Sequence, residues 1–354
     1  MGDVYEQLRE RLDAMSTGFP RTENRGDMAI LRRLFTEKDA SLFLQMTPML
    51  ETPADAAKRL GRGEEELAGH MEDMAKRGLL FRLRRPDSVK YGAIPFIIGI
   101  MEFQVGHLDK DLAREMEANY EGGFGRSITA TATPLMRSVP VDRDVAAGAS
   151  IAPYDDVMKI LGEQKTIMVA ECFCRKASGL LGKGCDMPLE ACFSFGTQAD
   201  FYVENGMGRY LGPDEAKALV KKNLDAAPLV IQMANTQKGG GFCMCCGDCC
   251  GLLRSLKMQP NPAEAARSNY RAAVDGSSCS GCEACVDRCQ MDAIAMADGT
   301  ATIDHRRCIG CGNCATGCPS GAVRLEKKPD DSLYVPSENF MTTYVKIAKE
   351  RGKM

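Results

Sequence analysis

Cys279-Ser280-Gly281-Cys282-Glu283-Ala284-Cys285-Val286-Asp287-Arg288-Cys289 and Cys308-Ile309-Gly310-Cys311-Gly312-Asn313-Cys314-Ala315-Thr316-Gly317-Cys318-Pro319 decide how the C-terminal part of this chain is built. A cubane iron-sulfur cluster needs four thiolates at the corners of a rough tetrahedron. Two-residue gaps let a tight loop wrap three irons with its amides turned toward the sulfurs, and the fourth thiolate comes from elsewhere. In chains with two such clusters the last cysteine of each run ligates the other cluster. The spacing therefore implies one 4Fe-4S cluster on Cys279, Cys282, Cys285 and Cys318, and a second on Cys308, Cys311, Cys314 and Cys289. A zinc ribbon would instead need two cysteine pairs about 12 to 20 residues apart, whereas each run here carries four thiols.

The runs are halves of an internal repeat: position 279 is echoed at 308, and Ala293-Ile294 by Ala322-Val323. Between them, Ile294-Ala295-Met296 and Ala301-Thr302-Ile303 flank an Asp298-Gly299 turn, which predicts a short hairpin. Residues 275 to 328 thus resemble a bacterial-type ferredoxin module holding two 4Fe-4S clusters. Gln290 departs from that pattern, in which proline commonly follows the fourth cysteine; Pro319 keeps it.

With 354 residues the chain is long enough for two or three domains. Seventeen cysteines, an odd number grouped like ligands, with no hydrophobic N-terminal signal, argue against a secreted disulfide framework and for a reduced, anaerobic cytoplasm. The best apolar run, Ile94 to Met101, is too short to span a membrane and contains Pro95 and Gly99. A formal charge of -3 gives no general attraction to nucleic acid, and three histidines leave little scope for histidine chemistry.

From about Met28 to Lys90 the chain reads as a helical unit ending in a basic hairpin. Thr52 and Pro53 start a helix with Ala56, Ala57 and Leu60 on its apolar face; Gly61-Arg62-Gly63 turns the chain; a second helix runs from Glu64 to Arg77 and stops at Gly78. Leu79 to Arg85 predicts a strand, and Pro86-Asp87 the turn of a wing. The stretch resembles a winged helix-turn-helix domain. Its would-be reading helix opens with Glu64, Glu65 and Glu66, which would face a polyanion, although Arg82, Arg84, Arg85 and Lys90 on the wing offset them. Residues 52 to 90 hold nine Lys/Arg and seven Asp/Glu, a balance of +2. That disfavours DNA binding and favours a packing or partner-docking role.

The middle of the chain mixes both signals. Helices are expected over Leu108 to Tyr120, Pro153 to Leu161 and Asp214 to Leu224, with strands over Thr166 to Ala170 and Leu229 to Met233. Each strand leads into cysteines. Cys172, Cys174, Cys185 and Cys192 follow the first, and Cys243, Cys245, Cys246, Cys249 and Cys250 follow the second in a glycine-rich loop. Ligands of a third metal site are to be chosen from these nine. An additional Fe-S cluster fits them best; a cysteine-only zinc site, such as Cys172, Cys174, Cys245 and Cys249, or a Cys246/Cys249 redox dithiol are alternatives, and some of the thiols would be core residues. Adjacent cysteines cannot easily serve one small site, so Cys245-Cys246 and Cys249-Cys250 are expected to divide. Arg175, Lys176 and Lys183 are either cations for an anionic cluster or ordinary surface residues.

Taken together, the expected architecture is multidomain α+β: a helical, winged-helix unit over residues 1–90, an α+β cysteine-rich domain over 91–270, a dicluster ferredoxin domain over 271–328, and a tail with a helix from Phe340 to Arg351 over 329–354. Glu171-Cys172-Phe173-Cys174-Arg175-Lys176, Gly184-Cys185-Asp186 and Cys245-Cys246-Gly247 resemble a widespread group of anaerobe dicluster 4Fe-4S proteins with the same three-part layout. The expected function is low-potential electron transfer to a partner oxidoreductase; a redox-responsive winged-helix transcription regulator is the alternative. With no Rossmann or P-loop glycine pattern, flavin motif or triad, the chain is not read as a catalyst by itself, only as a carrier or the electron-input subunit of a reductase.

Overall fold

The computed structural model describes residues 2–140, 152, 154–238 and 240–354. Its N-terminal layer is helical: α1 (Val4–Asp13), α2 (Gly26–Leu34) and α3 (Glu37–Gln45) precede α4 (Pro53–Leu60) and α5 (Glu64–Lys76). Thr52 caps α4 by accepting from the Asp55 amide, with Pro53 in the first turn, and Gly61 ends the helix in the left-handed region at φ 65°. Strands β1 (Phe81–Arg85) and β2 (Ser88–Gly92) then form an antiparallel hairpin. The first strand begins at Phe81 rather than Leu79, because Leu79 still bonds back to the last turn of α5 through Met74 O.

That hairpin is docked within the chain. Arg82 is 3 % exposed and bridges Glu72 at 2.8 Å and Glu204 at 2.7 Å; Arg84 reaches the same two carboxylates. The Tyr91 hydroxyl donates to Glu72 at 2.7 Å, and Phe81 packs on Phe201. Glu64, Glu65 and Glu66 stay exposed.

Next come α6 (Lys110–Asn119), capped by Asp109 and therefore starting after Leu108, and the short α7 (Gly125–Ser127). A six-stranded antiparallel sheet follows, in the order β3-β7-β8-β5-β4-β6. Its strands are β3 (Met136–Val139), β4 (Ile167–Glu171), β5 (Glu190–Phe195), β6 (Arg209–Leu211), β7 (Val230–Ala234) and β8 (Phe242–Cys245). The helices between them are α8 (Val157–Glu163), α9 (Phe173–Leu180), α10 (Gly196–Glu204) and α11 (Pro213–Ala226). The helix expected from Pro153 starts instead at Val157, since the Asp156 side chain accepts from the Lys159 amide and so caps it there; Pro153 and Gly239 lie outside the described residues. One sheet face packs on α8 and α11 through Leu161, Ile231, Val220 and Phe193. The other faces the N-terminal layer.

After α12 (Gly251–Lys257) and α13 (Pro262–Ala265), β9 (Tyr270–Val274) pairs with β12 (Val323–Lys327) and encloses α14 (Ala284–Asp287), the hairpin of β10 (Ile294–Ala297) and β11 (Thr300–Ile303), and α15 (Asn313–Thr316). Asp298 and Gly299 both have positive φ, 49° and 74°, as a two-residue turn of this type requires. The final helix, α16 (Phe340–Glu350), lies across both other layers. Arg351 bonds Asp13 of α1, Thr343 bonds Asn235 O at the end of the sheet, and Tyr344 bonds Ile98 O.

Candidate metal centres

Within the C-terminal module the two runs make two separate cavities. Cys279, Cys282, Cys285 and Cys318 line one of about 10 Å³, closed by Met296, Ala301 and Val323. Cys289, Cys308, Cys311 and Cys314 line the other, of about 20 Å³, beneath Ala272, Ile294 and Ile309. Both are apolar sockets with four thiols each, suited to a compact thiolate-ligated cluster. The Ala293 amide donates to Cys289 Sγ at 3.2 Å and the Ala272 amide to Cys308 Sγ at 3.4 Å, and such bonds tune a bound cluster's potential. Burial pushes the Cys314 thiol up to about 12 and also raises Cys311, so metal binding there must displace tightly held protons. Each socket holds one buried thiol, Cys285 or Cys314, but only the first has an exposed one, Cys282.

The nine upstream thiols separate by strand geometry. Along β8, side chains alternate between faces. Cys243 and Cys245 turn toward the N-terminal layer, while Phe242, Met244 and the following Cys246 face the opposite core. Cys243 stands directly across from Cys192 on β5. Thiol contacts continue from Cys192 through Cys243, Cys245, Cys250 and Cys174 to Cys172. These six line a chamber of about 140 Å³ between the sheet and helices α6 and α9, walled by Phe96, Ile98, Met116, Tyr120 and Phe124. The other three, Cys185, Cys246 and Cys249, meet at the chamber's edge, where Cys249 also touches its wall. Adjacent cysteines do divide: Cys245 and Cys250 go to one group, Cys246 and Cys249 to the other. The zinc set Cys172, Cys174, Cys245 and Cys249 is therefore split, because Cys249 turns toward Cys185. Three thiols are held below their ordinary value; one of them is Cys243 of the chamber, held well below it by bonds from Cys192 and Cys245. Bonds from Cys174 and Cys245 hold Cys250 down at about 5, and the bond from Cys249 holds Cys246 at about 6, in both cases against burial.

Arg175 is buried, anchored on the carbonyls of Pro188 and Met244, with its guanidinium at Cys246; it is no surface residue. Lys176 instead bonds Glu171 and Val105 O.

Three features escape sequence reading. Glu102 faces the chamber, accepts from the Gly99 amide at 2.8 Å, and is pushed up to about 8 by burial. Asp248 joins the smaller thiol group, and its place inside Cys246-x-x-Cys249 was the available signal. The chamber itself assembles from segments over a hundred residues apart, and no local pattern announces it. Among the described residues no helix is long and apolar enough to cross a membrane.

Residues 278–322 match the family model of the 4Fe-4S dicluster domain. Neither curated proteins nor solved structures give a match to the chain. The chain thus carries a ferredoxin-type module whose cofactors are 4Fe-4S clusters.

Proposed function

We propose that this is an iron-sulfur electron-transfer protein of anaerobic metabolism, cytoplasmic, which passes low-potential single electrons through its two 4Fe-4S clusters and a third metal centre to a partner oxidoreductase. One-electron exchange is the chemistry such clusters supply. The observation that carries the reading is a continuous seam: Cys245 and Cys250 of the chamber pack with Met291, Ala293 and Ile309, directly against Cys289, Cys308 and Cys311. The thiol chamber and the second ferredoxin socket share a wall. At the far end, exposed Cys282 brings the first socket to the surface where a partner can dock.

In this reading Cys279, Cys282, Cys285 and Cys318 hold one cluster, and Cys308, Cys311, Cys314 and Cys289 the other, which the four-thiol lining of each cavity supports. Cys172, Cys174, Cys192, Cys243, Cys245 and Cys250 supply the third centre. The chamber exceeds either ferredoxin socket several-fold, which favours a cluster over core packing there, since packed cores leave few voids larger than a water.

The N-terminal helix pair and hairpin act as a winged helix that docks protein rather than DNA. Arg82 and Arg84 are already engaged by Glu72 and Glu204, and three exposed glutamates open α5. Both features oppose phosphate binding. Anaerobic purification with iron and sulfide analysis tests the core of the reading: about twelve irons per chain are expected for three cubanes, against about eight for the ferredoxin clusters alone. Reduced protein should hand electrons to an oxidoreductase and leave promoter DNA unshifted at low salt. Tight DNA retardation together with no electron delivery would replace this reading by the regulator.

A further inference from the structure

The three thiols outside the chamber form a constellation of their own. Cys185 Sγ lies 3.8 Å from Cys246 Sγ and 3.7 Å from Cys249 Sγ, and with a carboxylate oxygen of Asp248 all four atoms fall within 4.8 Å of one another. We infer that Cys185, Cys246, Cys249 and Asp248 form a mononuclear site for Zn²⁺, distinct from every iron-sulfur centre in the chain.

The spacing of these three sulfurs is that of ligands to a single ion. Zinc-sulfur bonds of about 2.3 Å at tetrahedral angles put neighbouring sulfurs about 3.8 Å apart. A cubane carries one thiolate outward from each iron corner, so its thiolates are held apart by the whole cluster rather than by two bonds to one ion. The contacts of Cys185 with Cys246 and Cys249 match the single-ion edge and leave no room for a cluster between them. Donor type points the same way: three thiolates are soft ligands suited to zinc, and a carboxylate oxygen is a usual fourth. Cys246 and Cys249 stand at the two-residue spacing common in zinc sites.

The surroundings also suit an ion. Three thiolates and one carboxylate around Zn²⁺ leave an excess of two negative charges, and the Arg175 guanidinium at Cys246 offsets one of them. The Met187 amide donates to Cys185, and the Cys249 amide donates to Asp248 Oδ1 at 2.9 Å, which orients two of the four donors. Asp248 is exposed and Cys246 and Cys249 are buried, so the site has an entry path on one side and protein on the other. Zinc here would pin the loop between α9 and β5, through Cys185, to the turn between β8 and α12. It would also withhold three thiols from the redox chamber.

The test uses the full chain purified anaerobically, with zinc and iron quantitation, zinc K-edge absorption, and the variants Cys185→Ser and Cys192→Ser. About one zinc per chain is expected, with about three sulfurs near 2.3 Å, one oxygen near 2.0 Å and no neighbouring metal. Cys185→Ser should lose the zinc with iron and sulfide unchanged, and Cys192→Ser should keep the zinc. Wild-type protein without zinc, a metal neighbour in the absorption data, zinc retained in Cys185→Ser, or iron lost together with zinc in that variant would each overturn the site. The absorption measurement needs no variant, so it decides even where Cys185→Ser misfolds. Iron content reports on the electron-transfer reading separately, so one can fail without the other.

Discussion

The amide of Gly247 donates a 2.6 Å hydrogen bond to the side-chain oxygen of Gln290. Gly247 sits inside the Cys246-x-x-Cys249 turn, and Gln290 directly follows Cys289 of the second ferredoxin socket. Gln290, the one departure from the ferredoxin pattern, thus ties the two cysteine-rich regions together. The approach is close: a Cβ on Gly247 would stand 2.5 Å from the Gln290 carbonyl oxygen. Gln290→Pro removes the acceptor and leaves a buried amide unsatisfied, so we expect a loss of about 1–3 kcal/mol. Denaturant unfolding measures it, and an unchanged midpoint would show the bond to be idle.

The crossed ligand pattern makes its own prediction. Cys318 follows the second run in sequence but lines the first socket with Cys279, Cys282 and Cys285. Cys318→Ser should therefore alter the paramagnetic signal of the cluster held by the first run. A change confined to the other cluster's signal would mean that each run keeps its own fourth cysteine.

Asp39 governs the acid limit of the N-terminal layer. Burial alone would raise its carboxyl, but bonds from Arg77 at 2.9 Å, His70 at 2.8 Å and the Thr36 amide at 2.9 Å outweigh it and hold Asp39 at about 2. The folded value is below the ordinary one, so the stabilisation is fully present above about pH 4 and is lost as pH falls toward 2. It amounts to about 2 kcal/mol. Asp39→Asn should lower stability at neutral pH by about that much and flatten the dependence between pH 4 and 2, read from denaturant midpoints across that window.

Arg82 offers a test of the docked hairpin. Removing its guanidinium takes away the buried cation that Glu72 and Glu204 share and leaves only the more exposed Arg84 between them. Breaking a fully buried pair costs about 3–5 kcal/mol, and these carboxylates keep 25 % and 31 % of their side-chain exposure, so Arg82→Ala should cost about 2 kcal/mol. Thermal melting checks this, and a shift no larger than that of Arg85→Ala would show that the hairpin is not held by this bridge.

What the sequence makes legible is local. The Thr52-Pro53 helix start, the Asp298-Gly299 turn and the thiol spacing of each ferredoxin run depend on residues within a few positions of one another, and the structure has them where that chemistry puts them. The sorting of the middle thiols was legible only in part. That adjacent cysteines part follows from their being too close in sequence to serve one small site, but which distant thiol each one meets depends on sheet order. Cys192 meets Cys243 only because β5 and β8 are neighbours, and Cys185 meets Cys246 only because the loop after α9 folds back 61 positions along the chain. Glu102 gave no signal, since a lone acid beside an apolar run looks like any solvated residue until its chamber is closed around it.

The exposure of Cys282 has a second side. A socket with an exposed thiol is open to dioxygen, while the socket of Cys311 and Cys314 sits behind it against the middle sheet. Vulnerability is therefore graded from the surface inward: air should bleach the outer cluster first, leaving the inner one as a transient sole survivor. Such a molecule sacrifices its port before its interior.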